Sequence, residues 1–386
     1  MYLLAAPMLL TLSRAYRGEN MTNSEPIKYA ALARRENLPA EGEAERAEVD
    51  VLDIALDERA EPRLVRQNGR LRLVAEVSAE GLDVAHPFPD LKRTAVNRRN
   101  IGEHVEVLDL AGRRPRGVET RFVPSRAART HRLRGRKGDD RDKGGTIFGT
   151  DDRYLFQDTS FPWRITGKVR TAGGWGSGTM IGPRHVLTAS HVVNWNSDGR
   201  GAVGWATFTP GYFDGRGPWG EIGIEEVVYW EQAPGTLSDQ QTAFDYVVLI
   251  TNTRIGDTIG YAGSRTYDGD WNGGKYWQYI GYPGELSSGE RPAFQGGAVV
   301  SSKQDFTLNG NDGSVLGHFN EFTPGQSGGS AWGWWGDEPW PRVVGVGSTI
   351  GSTAVQQPTG STIGDNEYGG GPALTSIISW ARTNRP

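Results

Sequence analysis

The chain has 386 residues, a formal net charge of −4 and no cysteine. The length allows one large domain or two smaller ones, and the weak charge gives no reason to expect nucleic acid or a membrane as a partner. Without cysteine the fold has neither a disulfide framework nor thiolate chemistry. A domain of more than about 200 residues buries enough surface without such bridges.

An apolar run opens the chain, from Tyr2 to Leu12. It has the length of a signal-peptide core, but it lacks a basic start and a clear small-residue cleavage site, and Met21 is an alternative start. The run is too short to cross a bilayer as a helix. We interpret residues 1–21 as a secretory signal or a misassigned start, and we expect a secreted protein.

The composition changes near residue 145. All 13 tryptophans follow residue 160 and glycine is concentrated there, whereas the first part is rich in Arg, Glu, Asp and Ala. This step is the clearest domain boundary, and it separates an N-terminal region, 22–145, from a second region, 146–386. The N-terminal region is either a propeptide that is removed or a permanent regulatory or interaction domain.

Two kinds of segment are predicted within the N-terminal region. Leu64–Val77 has the pattern of a hairpin around Asn68-Gly69, and Ile101–Leu110 that of a further strand. The segment 126–143 has many basic and few apolar residues, which predicts a solvated linker that proteases can cut. An ordinary charged tether is the alternative, and the lack of interleaved aromatic residues argues against nucleic-acid binding.

The second region reads as many short strands separated by Gly, Pro, Asn and Asp, which indicates an all-β barrel or sandwich. Only its end is different, because apolar residues after Pro372 fall at i, i+3, i+4 and i+7 and predict a C-terminal helix. The predicted strands include Trp163–Val169, Gly178–Ile181, His185–Thr188, Ala206–Thr209, Ile222–Trp230, Tyr246–Thr251, Tyr276–Ile280, Ala298–Ser301 and Val343–Val346.

Three polar residues of the second region form the pattern of a nucleophile with a base and an orienting group. His191 follows an apolar strand, Asp245 opens the apolar run Tyr246–Ile250, and Ser327 lies in a glycine-rich turn. A serine hydroxyl is a weak nucleophile that needs a base, and the base needs a third group to fix its tautomer. Asp239 is a weaker choice than Asp245 because it lies in a polar loop.

The same turn offers the electrostatic part of such a site. Gly325 gives the backbone freedom to aim an N–H at a reacting oxygen, so the N–H groups of Gly325 and Ser327 are the expected oxyanion hole. Together these residues predict attack by Ser327, proton transfer through His191 and release of an acyl-enzyme by water. A non-catalytic β-barrel binding or adhesion module that retains the motif is the alternative.

Segments Gly178–Val193 and Gly325–Ser330 resemble those of chymotrypsin-like serine proteases. More specifically, four segments are similar to the bacterial glutamyl endopeptidase branch: Gly149–Arg153, Met180–Pro183, Gly281–Gly284 and Gly325–Gly328. The resemblance covers roughly Thr146 to the C-terminus. It implies two six-stranded antiparallel β-barrels with the active site between them. It also implies a secreted zymogen whose mature chain begins near Thr146.

Two residues depart from the pattern of the related enzymes. Gln326 precedes the nucleophile where trypsin-type enzymes carry an aspartate that pairs with the new N-terminus, so activation by that ion pair is not expected. Gly347 stands where glutamyl endopeptidases carry a histidine that binds the substrate carboxylate. The resemblance therefore does not extend to a preference for Glu or Asp.

The primary substrate pocket is expected to involve Glu321, Gly347, Ser348 and Thr349. Glu321 lies six residues before Ser327, where a carboxylate would favour a basic substrate side chain by direct pairing. A carboxylate that points to solvent is the alternative for Glu321. Ser348 and Thr349 are expected to line the pocket wall.

The expected partner is a protein or peptide substrate, with no nucleic acid and no membrane, and the processed protein is expected to be a monomer. No cofactor and no metal are expected. Asp151-Asp152 offers oxygen ligands for calcium, but two adjacent carboxylates are more often solvated. The sequence contains no phosphate-binding loop and no dinucleotide fingerprint.

Overall fold

The computed structural model describes residues 25–36, 61–67, 70–76, 89–96, 109–127, 148, 151–195, 203–233, 237–356 and 362–386. The predicted signal or start segment, 1–21, and most of the predicted basic linker, 128–143, lie outside these residues. Within them, no helix is both long enough and apolar enough to span a membrane.

The N-terminal region contributes a helix and four strands to the described structure. They are α1 (Tyr29–Arg35), β1 (Glu61–Gln67), β2 (Arg70–Glu76), β3 (Lys92–Ala95) and β4 (Asp109–Leu110). β1 and β2 pair in antiparallel fashion with Gln67 opposite Arg70, which leaves Asn68-Gly69 as the connection. The predicted hairpin is therefore confirmed, and an Asn-Gly pair is what such a short connection favours. Of the predicted strand Ile101–Leu110, only β4 falls within the described residues.

The first barrel is a closed antiparallel sheet. It follows the short strand β5 (Tyr154–Leu155), which pairs with a strand of the second barrel. Its elements are β6 (Thr166–Thr171), β7 (Gly174–Gly182), β8 (His185–Thr188), β9 (Ala206–Pro210), β10 (Ile222–Tyr229), α2 (Asp239–Ala243) and β11 (Val247–Thr251). The six strands are ordered β11-β8-β7-β6-β9-β10, and pairing of β10 with β11 closes the ring.

The second barrel closes in the same way. Its elements, with those that lead to it, are α3 (Gly256–Ile259), β12 (Gly263–Arg265), β13 (Lys275–Gly281), α4 (Gly284–Ser287), β14 (Ala293–Leu308), β15 (Asn311–His318), β16 (Ser330–Gly333), β17 (Arg342–Gln356) and β18 (Thr362–Gly370). The order β16-β13-β14-β15-β18-β17 is closed by antiparallel pairing of β16 with β17. The predicted fold class, two six-stranded antiparallel barrels, is confirmed.

Aromatic side chains fill the second barrel. The ring centroid of Trp277 lies 5.4 Å from that of Tyr267, 5.9 Å from that of Trp271 and 6.1 Å from that of Trp335. Tilted and edge-on ring pairs at such distances add about 0.5–1.5 kcal/mol each beyond the burial of their area. The concentration of tryptophan in the second region is therefore explained in part by this core.

The chain end forms the predicted helix, α5 (Pro372–Asn384), with proline in its first turn. Leu374, Ile377, Ile378 and Ala381, the predicted apolar positions, are fully buried. The helix contacts β8 and β11 of the first barrel and β15 and β18 of the second. It therefore packs across the junction of the two barrels.

One predicted strand begins later than the sequence pattern indicates. Trp163–Ile165 forms a 3₁₀ turn, and β6 begins at Thr166. The Ile165 N–H donates to the carbonyl of Pro162 at 2.9 Å, which closes the turn. Trp163 is buried against Trp332 of the second barrel, so packing between the barrels overrides the β-propensity of this segment.

Parts of the N-terminal region complete the edges of both sheets. β3 pairs in parallel with Glu226–Tyr229 of β10, beyond the point where β9 stops pairing with that strand. β4 pairs with β12 at the edge of the second sheet. Leu91, Val96 and Val123 belong to the same hydrophobic core as the first barrel. Residues on both sides of the predicted boundary at 145–146 therefore share one core.

Candidate active site

The first barrel brings His191 and Asp245 to the same end of two neighbouring strands. β8 and β11 are antiparallel, with Thr188 opposite Val247. The residues that follow β8 and those that precede β11 therefore meet at one end of the sheet. The 3₁₀ turn Ser190–Val192 carries His191 toward Asp245.

The Asp245 carboxylate is fully buried and accepts three hydrogen bonds. Its Oδ1 accepts from the backbone N–H of His191 at 2.9 Å, and its Oδ2 accepts from Nδ1 of His191 at 2.7 Å and from the Ser348 hydroxyl at 2.5 Å. Because a carboxylate only accepts, the ring proton of His191 is on Nδ1, and Nε2 is left as an acceptor. This is the tautomer that a general base requires.

The charge of Asp245 controls the basicity of His191. Burial lowers the pKa of the imidazole, but the nearby carboxylate and its hydrogen bond raise it by more, so the net result is a pKa above the ordinary value. The imidazolium form that appears when the ring takes up a proton is therefore stabilised.

Ser327 lies in two consecutive tight turns. In the first, the Gln326 N–H donates to the Thr323 carbonyl at 3.1 Å, with Pro324 and Gly325 at the two central positions and φ of +95° at Gly325. Proline followed by a residue with positive φ is the signature of a type II turn, so the local sequence favours this geometry. In the second turn, Gly328 also has a positive φ, of +83°.

Ser177 on β7 fixes this loop from the first barrel. Its N–H donates to the Ser327 carbonyl at 2.7 Å, and its hydroxyl donates to the Gly325 carbonyl at 2.9 Å. Both carbonyls are thereby held, which orients the peptide groups around Ser327. Nothing in the sequence pattern indicated Ser177, because its partners lie about 150 residues away in the chain.

A cleft of about 540 Å³ brings these groups together. His191, Ser327, Gly325, Ser348 and Thr349 line it, while Asp245 is buried behind the histidine. Within the described part of the chain, the backbone N–H groups of Gly325 and Ser327 donate to no protein acceptor. Two free donors beside a serine and a histidine fit the geometry of an oxyanion hole.

Two of the predicted pocket residues do not line this cleft. Glu321 is buried, its N–H donates to Gln295, and its carboxyl group lies against Asp152. Burial and then the neighbouring carboxylate raise the pKa of Glu321 to about 9, so the group is neutral at pH 7. Gly347 instead holds the loop that carries Ser327, because its carbonyl accepts from Gly328 at 2.9 Å and its N–H donates to Gly329 at 2.8 Å.

The loop that carries Ser327 is also contacted by an arginine from the segment that precedes the barrels. The guanidinium of Arg153 is almost fully buried and donates to Gln326 Oε1 at 2.5 Å and to Thr323 Oγ1 at 3.0 Å. It also pairs with Asp151 at 2.9 Å and Glu285 at 2.6 Å. Gln326, noted above as a departure from trypsin-type enzymes, is therefore the acceptor for an internal cation.

Comparison with known proteins agrees with the resemblance seen in the sequence. No protein-family model matches the chain. It is similar to a glutamyl endopeptidase from Bacillus licheniformis, with 30% identity over 157 residues, which are 40% of this chain and 48% of that protein. The predicted resemblance to the glutamyl endopeptidase branch is confirmed.

Two further proteins are similar to the chain. A protein from Bacillus subtilis named extracellular metalloprotease is 28% identical over 151 residues, 37% of this chain and 47% of its own length. A solved structure of a Glu endopeptidase in complex with MPD has 21% identity and a TM-score of 0.47, and covers 62% of this chain and 100% of its own. The chain spans about half the length of the curated relatives it matches. In the described ranges, no group of three or more His, Asp or Glu residues is placed to hold a metal ion.

Proposed function

We propose that this chain is a serine endopeptidase that hydrolyses peptide bonds through Ser327, His191 and Asp245. The observation that carries the proposal is the 2.7 Å contact of Asp245 with Nδ1 of His191, in a cleft that Ser327 also lines. The Ser327 hydroxyl attacks the substrate carbonyl while Nε2 of His191 takes its proton. The imidazolium then protonates the leaving amine, and water releases the acyl group by the reverse sequence.

The oxyanion that forms during the attack is proposed to bind the N–H groups of Gly325 and Ser327. Their lack of protein acceptors within the described residues supports this role, and so does the position of both residues in the lining of the cleft. Removal of one such donor costs about 2.7–4 kcal/mol of transition-state stabilisation in a measured case.

The primary pocket is proposed to accept small or apolar side chains. Phe322, Ser348 and Thr349 line the cleft, and none of them carries a charge. At Gly347 a side chain would overlap the Tyr279 hydroxyl and the Phe322 ring, so the pocket has no room there for a recognition group. Selection of Glu or Asp, or of basic residues by Glu321, therefore has no support from the positions of these residues.

Residues 146–386 are proposed to form the protease region, and residues 22–145 an extension before it. The predicted linker supports cleavage before the protease region, as in a zymogen. Secretion is supported by the apolar start of the sequence and by the word extracellular in the name of one relative.

Labelling with a fluorophosphonate probe tests the proposed function. After cleavage in the predicted linker, the chain is expected to react stoichiometrically, and Ser327→Ala and His191→Ala are expected to abolish labelling. Digestion of a peptide library by the same material is then expected to show cleavage after small or apolar residues. Equal labelling of the wild type and Ser327→Ala would contradict the assignment, and a correctly folded chain that stays unlabelled after cleavage in the predicted linker would favour the non-catalytic module.

A further inference from the structure

Trp175, near the start of β7, is exposed in an otherwise well-buried set of aromatic residues. It retains 41% of its accessible surface, and no other large apolar side chain within the described residues is exposed. A single exposed tryptophan is not by itself a binding site. This one, however, lines the cleft that contains His191 and Ser327.

The indole of Trp175 is held in place by several contacts. Its Nε1–H donates to the Tyr282 carbonyl at 3.2 Å, and the ammonium of Lys168 lies 5.2 Å from the ring centroid. Gly289 and Gly325 both have positive φ and approach the ring so closely that a Cβ at either position would overlap it. A ring fixed in this way loses little conformational entropy when a ligand packs on it.

The position of Trp175 relative to the proposed chemistry defines which part of a peptide it meets. His191 has to protonate the leaving amine, so the residues after the scissile bond lie on the side of the cleft formed by the first barrel. Trp175 belongs to that wall, whereas Phe322, Ser348 and Thr349 belong to the second barrel. The contact with Gly325 places the indole beside one of the two N–H groups proposed to bind the oxyanion.

We propose that Trp175 is a specificity-determining residue that binds an apolar or aromatic side chain on the leaving-group side of the scissile bond. This inference rests on the proposed peptidase function. Aromatic and aliphatic side chains gain both buried area and ring contacts on an indole. Lys168 already supplies a cation to the ring, so a second cation from the substrate has less to gain there.

Two substrate series separate this role from general damage to the site. The first contains p-nitroanilides, which have no residue after the scissile bond. The second contains internally quenched peptides with one fixed acyl side and Leu, Phe, Gly or Lys in the two positions after the bond. Trp175→Ala is expected to lower kcat/KM about tenfold for the Leu and Phe peptides only, and Trp175→Phe to restore most of it. An equal loss for all substrates, p-nitroanilides included, would overturn the proposal.

Peptide binding to a catalytically inactive variant gives a test that does not depend on catalysis. In a Ser327→Ala background, peptides with Leu or Phe after the bond are expected to bind about tenfold more tightly by calorimetry than those with Gly or Lys, and Trp175→Ala is expected to remove the difference. Retained selectivity in the double variant would refute the role of Trp175. Selective binding by Ser327→Ala without cleavage by the wild type would instead refute the peptidase proposal and leave the Trp175 site in place.

Discussion

Three hydrogen bonds converge on a single buried carboxylate, that of Asp245, and two of them come from His191. The third comes from Ser348, a predicted residue of the pocket wall that also lines the cleft. A buried carboxylate without donors would be costly, so these contacts satisfy the Asp245 oxygens and hold them in register with the imidazole. Ser348 thus acts on His191 through Asp245.

The ionisation of His191 is predicted to set the acid limb of the pH profile. Because Asp245 raises its pKa, kcat/KM is expected to fall below a midpoint that is higher than about 6.5, the ordinary histidine value. Titration of the His191 ring by NMR in Ser327→Ala should give the same midpoint. In Asp245→Asn the charge is gone and burial remains, so the midpoint is expected to shift below 6.5.

The same pKa shift has an opposite consequence for stability. A histidine with a raised folded-state pKa stabilises the fold fully below its unfolded pKa, and the contribution is lost as the pH rises through the folded value. Activity therefore appears over the pH range in which this contribution disappears. An NMR midpoint that is unchanged by Asp245→Asn would contradict the assignment of Asp245 as the cause.

Glu321 gives a second prediction for a single residue. Its raised pKa means that stability declines as the pH rises from the unfolded value, near 4.5, toward about 9. Glu321→Gln is expected to stabilise the protein by on the order of 1–3 kcal/mol at pH 7 and to flatten this decline, as measured by urea unfolding. Cleavage selectivity is expected to stay unchanged, and a lost preference for basic residues would instead support the pocket role first assigned to it.

Among the elements, the loop that carries Ser327 depends on contacts from both barrels and from the segment before them. Ser177 holds two of its carbonyls, Gly347 pairs with Gly328 and Gly329, and Arg153 holds the Thr323 and Gln326 side chains. The loop is therefore fixed by partners that no local sequence window contains. The local sequence sets the turn geometry of this loop, whereas distant contacts set its position.

Arg153→Met is predicted to weaken both the fold and the site. Asp151 and Glu285 would lose their cation, and the expected cost is about 2–3 kcal/mol, less than for a fully buried pair because Glu285 is partly exposed. Urea unfolding measures this loss, and kcat/KM is expected to fall in parallel as the loop shifts. The matched variant Arg153→Lys keeps the charge but not the planar fork, so it should recover stability better than activity. Full activity in Arg153→Met would refute the role of Arg153 in holding the loop that carries Ser327.

For the whole molecule, the N-terminal region and the barrels form one packed structure in the described residues. β3 covers the edge of β10 that β9 leaves open, the Phe122 carbonyl accepts from Gln278 at 2.6 Å, and the Ile27 N–H donates to Trp334 at 2.8 Å. Leu32, Leu91, Val96 and Val123 are buried, and each contributes up to about 1.5–3 kcal/mol. No described residue of the N-terminal region lines the cleft.

These contacts predict that a cut in the basic segment leaves the two pieces together. With a site for a specific protease inserted between 135 and 136, the cut protein is expected to elute as one species in size exclusion and to show two bands under denaturing conditions. Activity of the cut material is expected to equal or exceed that of the uncut chain, since the cleft is not covered by the described part of the extension. Separation of the pieces in native buffer would support a propeptide that is released.

Features that depend on neighbouring residues in the chain were predictable from the sequence. The Asn-Gly hairpin, the Pro-Gly turn before Ser327 and the spacing of Leu374, Ile377 and Ile378 in α5 all follow from local backbone preference or from periodicity. The order of His191, Asp245 and Ser327, together with the resemblance, was enough to predict the double barrel.

Features that depend on distant partners became visible only in the folded protein. β15 and β18 were not predicted, because their glycines and polar residues carry weak strand signals and they pair with each other across about 50 positions of the chain. The contact of Ser348 with Asp245, the exclusion of Glu321 from the cleft and the packing of β3 on β10 arise in the same way. Burial and pairing are properties of the closed barrels, and a linear pattern does not contain them.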